Sequence, residues 1–207
     1  MTISKLISAS RLSLSLALLL TVVFLTAAQG DTNHEKVGTV TAIKGNDVAI
    51  QNALPRSLKV GAAILLNDVI STRKGAKLEL KMSDNTVFSL GPRKSFVVEE
   101  YLLTGETGSG VVRLLDGAVK VISGQLAKLS NEPFKLNTAV ATMGVRGRTF
   151  WDGKLDGAHQ FTLLDGVRIT VTNAAGRVEI KDVLQGTMVQ SASTAPAPPK
   201  TGGVANS

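Results

Sequence analysis

Arg146 and Arg148 stand on either side of Gly147, and two residues apart on an extended backbone their side chains leave the same face. Gly147 between them suits a bulge or a close backbone approach, where a Cβ would be in the way. A guanidinium is a planar fork of donors matched to carboxylate or phosphate. The pair can therefore clasp a carboxylate of the fold, such as Asp116 or Asp165, or hold an anion or partner from outside. Arg146 is expected to be the structural clasp. Arg148 suits either role, and with Trp151 it forms the candidate binding pair, although a lone tryptophan also serves for core or edge packing.

Little other reactive chemistry is present. The chain has no cysteine, which excludes thiol catalysis, thiolate metal sites, disulfides and a lipid-modified cysteine. Its two histidines are His34, near the start, and His159, read as an exposed loop residue beside a turn. No serine sits in a G-x-S-x-G elbow, and nothing places a nucleophile and an orienting group beside His159. The run Asp152-Gly153-Lys154-Leu155-Asp156-Gly157 looks like part of a calcium loop. It has lysine at the third position and no glutamate at the twelfth, so it reads as a polar loop. The glycine-rich stretch 104–110 lacks the lysine of a phosphate loop and opens no helix. No catalytic, cofactor-binding or metal-binding residues are expected, and the chain is not read as an enzyme.

The segments that must position the arginines read as strands. Residues 76–82 alternate Ala, Leu, Leu and Met with Lys, Glu and Lys, one face for the core and one for water. Ser83-Asp84-Asn85 makes a tight turn into 87–90. Residues 37–43 and 48–50 suggest a hairpin, 96–103 another strand, and 104–110 a flexible loop. Leu115-Asp116-Gly117 and Leu164-Asp165-Gly166 each read as a strand, an Asp-Gly turn and a strand. Aromatics are only 4% of the chain, so Val, Leu, Ile and Ala must supply most of the core. The expected fold is all-β: one domain of short, mostly antiparallel strands over 37–190, sandwich or roll-like.

Both ends read differently. Residues 1–30 carry Lys5 and Arg11, an apolar run of about 14 residues over 12–25, and small residues after it. That is the pattern of a cleaved secretory signal, too short for the roughly 20 residues that span a bilayer. Residues 31–36 make a flexible start. From Ser191 the composition turns to Ser, Ala, Pro and Gly, a tail over 191–207 with too little apolar surface to fold. The formal charge is +7, and loss of the leader, which has two basic and no acidic residues, leaves +5.

Three segments in order resemble the FecR domain family, the periplasmic domain of iron-dicitrate-type transmembrane sensors. Leu58-Lys59-Val60-Gly61 and Asn67-Asp68-Val69-Ile70-Ser71-Thr72 are similar to its "G … D-x-I-x-T" opening. Residues 76–92 are similar to its "L-x-L-x-D-G-x-x-x-x-L-G-P" strand pair. Residues 138–150 are similar to its "T-P-x-A-x-x-G-V-R-G-T-x-F" close, which makes Thr138, Gly144, Arg146, Gly147 and Phe150 the structural motif. Ala139, Asn85 and Arg148 stand where the family pattern has proline, glycine and threonine.

The resemblance implies an all-β periplasmic domain with a signalling role. The expectation is an exported, non-enzymatic binding or signalling module in the periplasm, or secreted. Its partner would be an envelope protein. The alternative is an anionic envelope polymer held by the basic surface. Nucleic acid is not expected, because the chain is exported, and no stable membrane anchor is expected.

Overall fold

The alternation over 76–82 becomes β6 (Lys77–Met82), with Leu78, Leu80 and Met82 in the core and Lys77 and Lys81 in water. It pairs antiparallel with β7 (Val87–Leu90) through a turn in which Asn85 has φ +69°, a left-handed conformation that asparagine tolerates. The computed structural model describes residues 35–129, 134–155 and 157–201. Residues 1–34, which take in the expected signal segment and most of the expected flexible start, lie outside them. The chain divides into two units, Met1–His34 and Glu35–Ser207, and the second is described below.

Before β6 come β1 (Lys36–Lys44), β2 (Val48–Gln51), β3 (Leu54–Ser57), β4 (Ala63–Leu65) and β5 (Val69–Ser71). After β7 come β8 (Ser95–Thr104), β9 (Thr107–Asp116), β10 (Ala118–Ile122), β11 (Phe134–Asn137), β12 (Thr142–Leu155) and β13 (Ala158–Asn173). Three further strands follow: β14 (Gly176–Ile180), β15 (Gln185–Val189) and β16 (Lys200–Thr201). Among the described residues these strands form one sheet, and the only helix is the 3-10 turn Leu126–Lys128. The order runs β3-β2-β5-β8-β9-β11-β12-β10-β7-β6-β1-β4, while β13 joins β12 to β14 and β15. All pairs are antiparallel except β9 with β11. The all-β, roll-like expectation holds.

The curled sheet encloses one apolar core. Val, Leu and Ile dominate it, as the low aromatic content required, but five phenylalanines are buried in it and four of them form a chain of ring contacts. Phe88 stacks on Phe96 at 5.5 Å, Phe134 lies 6.2 Å from Phe88, and Phe150 lies 6.2 Å from Phe134. Phe150 thus ties the arginine-bearing strand to β7, β8 and β11.

Several local expectations give way to the pairing that the sheet adopts. β1 pairs with β4 and β6, and β2 pairs with β3 and β5, so residues 37–50 form no hairpin. Asp116-Gly117 is a corner, with Gly117 at φ +89°. β9 pairs there with β8 and β11, whereas β10 pairs with β7 and β12. Asp165-Gly166 is no turn, because it lies inside the continuous strand β13. The stretch 104–110 is a tight β8–β9 hairpin closing at Thr104 and Thr107.

The C-terminal segment divides. Residues 191–201 lie against the sheet, contrary to the expectation of a disordered tail from Ser191. Asn173 donates to the carbonyls of Ser191 and Thr194, Thr187 donates to that of Ala197, and the Ala197 N–H donates to that of Met188. Backbone pairing and asparagine bonds replace the missing apolar anchor. Residues 202–207 lie outside the described residues.

Asp84 is the polar knot of the core. Its carboxylate is fully buried and accepts from the Thr86 N–H and hydroxyl at 2.8 and 2.9 Å. It also accepts from the Tyr101 hydroxyl at 2.6 Å and the Leu126 N–H at 3.1 Å. Burial, with Asp84 alongside, pushes the Tyr101 phenol well above its ordinary pKa, so it stays a donor. One side chain thereby joins the β6–β7 turn, β8 and the 3-10 turn.

Candidate binding site

Residues 138–150 form the hairpin from β11 into β12. Thr138 organises its turn: its hydroxyl accepts from the N–H groups of Val140 and Ala141 and donates to the Ala141 carbonyl at 3.0 Å. Ala139 is exposed in that turn, where a proline would only pre-set the backbone. Gly144 pairs with Lys135 on one side and Thr170 on the other. Phe150 is buried. Between them the strand breaks its regular register, with irregularities on both sides of Gly147 and again after Thr149.

Two glycines make that break. Gly166 of β13 pairs with Gly147 of β12, and Gly166 has φ +128°, where a side chain is strained. A Cβ on Gly166 would lie 2.5 Å from the Arg148 nitrogen and from the Gly147 Cα. A Cβ on Gly147 meets Leu163 at 3.3 Å, a milder contact. The second Asp-Gly therefore serves as a bulge pressed onto the first. The Arg148 carbonyl, meanwhile, accepts from the Ser123 N–H at 2.6 Å, anchoring the bulge to the end of β10.

The bulges line a cleft of about 480 Å³. Arg146, Gly147 and Arg148 come from β12, and Asp165, Gly166 and Val167 from β13. Ala127 and Lys128 of the 3-10 turn close it. Both arginines are exposed. Arg146 is not a clasp to Asp116 or Asp165: those carboxylates are also exposed, and no described carboxylate lies within 4 Å of either arginine. The reason is geometric. The clasp reading assumed a hairpin next to a buried arginine, whereas the long strand turns residues 146 and 148 outward. Trp151 is half-buried and is not among the cleft's lining residues; its ring lies over Gly153.

The arginines belong to a wider basic face. Arg146 lies directly across from Arg168. One row along, Lys135, Gly144, Thr170 and Glu179 are in register on neighbouring strands, and Arg177 follows opposite Thr172. Glu179 is surrounded, with Lys181 at 3.3 Å, Arg177 at 3.0 Å and Arg168 at 3.9 Å. Hydrogen bonds from Lys181 and Arg177 hold its carboxyl below the ordinary value.

His159 is not an exposed loop histidine either. It lies on β13, its side chain 14% exposed, with Nδ1 3.4 Å from Oδ1 of the buried Asp152 and its ring stacked on Phe161. Burial pushes the Asp152 carboxyl up, and His159 opposes that shift. No hydroxyl among the described residues is hydrogen-bonded to His159, so the pair has no nucleophile to activate. Residues 152–155 continue β12 and form no loop. The described residues contain no group of three or more metal-ligating side chains. Sequence reasoning missed the Asp84 knot and the Asp152–His159 pair. Both looked like ordinary turn residues; Asp84 is buried by Tyr101 and Leu126 from later elements, and Asp152 and His159 meet across the β12–β13 pair.

The FecR protein family model matches residues 68–180, more than half of the chain. Two solved structures of a candidate anti-sigma factor from Parabacteroides distasonis are similar in fold, each with a TM-score of 0.50. They share 16% and 17% identity with this chain, and each match covers 64% of it. The chain spans 59% of the length of those proteins. No protein of curated function matches it. No described helix is long and apolar enough to cross a membrane, which says nothing of strands.

Proposed function

The chain belongs to the FecR family, and from that membership we propose that it is a non-enzymatic module of the periplasm that works by binding another envelope protein in a signalling process. The observation that carries the reading is the placement of the polar chemistry. Inside, Asp84 is saturated by donors, and the buried Asp152 is paired with the largely buried His159. Outside, Arg146 and Arg148 are exposed around a cleft. Such an arrangement offers a surface to a partner and no nucleophile to a substrate. The solved structures of similar fold are of a candidate anti-sigma factor, which fits a regulatory role reached through protein contacts.

A leader over 1–30, cleaved on export, places the mature protein in the periplasm. Immobilised protein beginning at residue 31 is expected to enrich a specific envelope protein from membrane and periplasmic fractions. Failure to enrich any would contradict the reading. A second reading, an anionic envelope polymer as ligand, is favoured by the face carrying Lys135, Arg146, Arg168 and Arg177. Binding of that kind weakens steeply with salt, so its absence at low ionic strength would eliminate it.

A further inference from the structure

We propose that the cleft at the paired bulges of β12 and β13 is the docking point for an acidic segment of a partner protein, in which a carboxylate sits next to an apolar side chain. The inference rests on the binding-module reading and adds where and by what chemistry the partner is held.

Charge is the first argument. Like charges directly opposite on neighbouring strands repel, yet Arg146 faces Arg168 across the β12–β13 pair. Arg168 has Glu179 within 3.9 Å. Arg146 and Arg148 have no such neighbour among the described carboxylates, and Lys128 adds a third cation to the same cleft. A carboxylate entering there meets two guanidinium forks and an ammonium, and it relieves the repulsion that the free protein carries.

Rigidity is the second. Gly166 is pressed onto Gly147 and the Arg148 nitrogen, and the Arg148 carbonyl is bonded to Ser123. The backbone under both arginines is therefore fixed before binding, which lowers the cost of ordering the site.

The lining itself chooses the class of ligand. Val167, 66% exposed, and Ala127 give the cleft an apolar wall. Asp165 also lines the cleft; its carboxylate can accept from backbone N–H groups, which a peptide offers and a phosphate polymer does not. A cleft of about 480 Å³ holds a few side chains, whereas an extended polymer would follow the open face of β12–β14.

The test is an NMR titration of the isotope-labelled chain with the peptide acetyl-Leu-Glu-Asp-Leu-amide. Parallel titrations use its Gln-Asn counterpart, inorganic phosphate and polyphosphate. The acidic peptide is expected to shift the Gly147, Arg148 and Gly166 amides saturably, and the neutral peptide to leave them in place. Arg146→Gln/Arg148→Gln should weaken binding at least tenfold with an unchanged folded spectrum. Val167→Glu, which leaves both arginines intact, should weaken it too. Equal binding of the neutral peptide, unchanged affinity in the double variant, or a response to phosphate or polyphosphate alone would overturn the proposal. Capture from envelope fractions separates the two levels. If the double variant enriches the same envelope protein as the parent, the cleft assignment fails and the module reading stands. If the parent enriches none, both fall.

Discussion

Asp84 and the arginine cleft are two polar concentrations of this domain built in opposite ways. Asp84 is a buried carboxyl group whose oxygens are met by four donors from three elements. The cleft is a set of exposed cations with no anion bound to the arginines by any described residue. A buried charge left unpaired is costly, so the first cluster must be complete for the chain to fold. An exposed charge is hydrated and costs little, so the second can stay open for a partner. Saturation marks the group that serves the fold, and openness marks the group available for binding.

The largest way to test that contrast is to remove Asp84. Asp84→Ala leaves the Tyr101 hydroxyl, the Thr86 hydroxyl and two backbone N–H groups without their acceptor. Each buried orphan costs about 1–3 kcal/mol, so a loss of roughly 3 kcal/mol or more is expected in denaturant unfolding. A variant as stable as the parent would mean the knot is dispensable.

Gly166→Ala should come next, at about 1–3 kcal/mol from the left-handed backbone alone, with the contact on Gly147 and Arg148 in addition. Gly147→Ala meets only the side chain of Leu163 at close range and should cost less. The reverse order, measured by melting, would place the essential contact on the wrong strand.

A smaller effect concerns pH. Burial holds the Asp152 carboxyl above its ordinary value of 3.8, so the folded chain keeps this proton to higher pH than the unfolded chain does. Its contribution therefore falls as pH rises from about 3.8 through the raised folded value, and returns as pH drops. Asp152→Asn should remove that decline, so the variant gains on the parent as pH rises through this window. Glu179, held low by Lys181 and Arg177, works in the opposite sense in both proteins and cancels in the difference. Parallel stability curves against pH for the two would contradict the assignment.

Much of the fold is legible in the residues. The alternation over 76–82, the Asn85 turn and the placement of Arg146 and Arg148 at one cleft all follow from local periodicity and backbone preference. Non-local pairing is what local reading does not carry. Asp116-Gly117 and Asp165-Gly166 look alike in sequence, yet the sheet order turns one into a corner and the other into a bulge. The same limit hid Asp84, whose partners Tyr101 and Leu126 come from elements farther along the chain. Arg146 was expected to be a clasp because an arginine in a strand motif invites a carboxylate, and the register sent it outward instead. Residues 191–201 show the complement: a composition poor in apolar residues still orders where backbone groups of β15 await pairing.

The smallest expected effect is the most telling. The account holds that Arg146 and Arg148 serve a partner and not the fold, and equilibrium unfolding of Arg146→Ala/Arg148→Ala measures this directly. Exposed substitutions of this kind change stability by about 0.5 kcal/mol or less, and easing the repulsion with Arg168 leans toward a slight gain. An unchanged or slightly raised midpoint is the expected result. A loss comparable to that of Asp84→Ala would show that the arginines hold the fold, and the division between saturated and open charge would not stand.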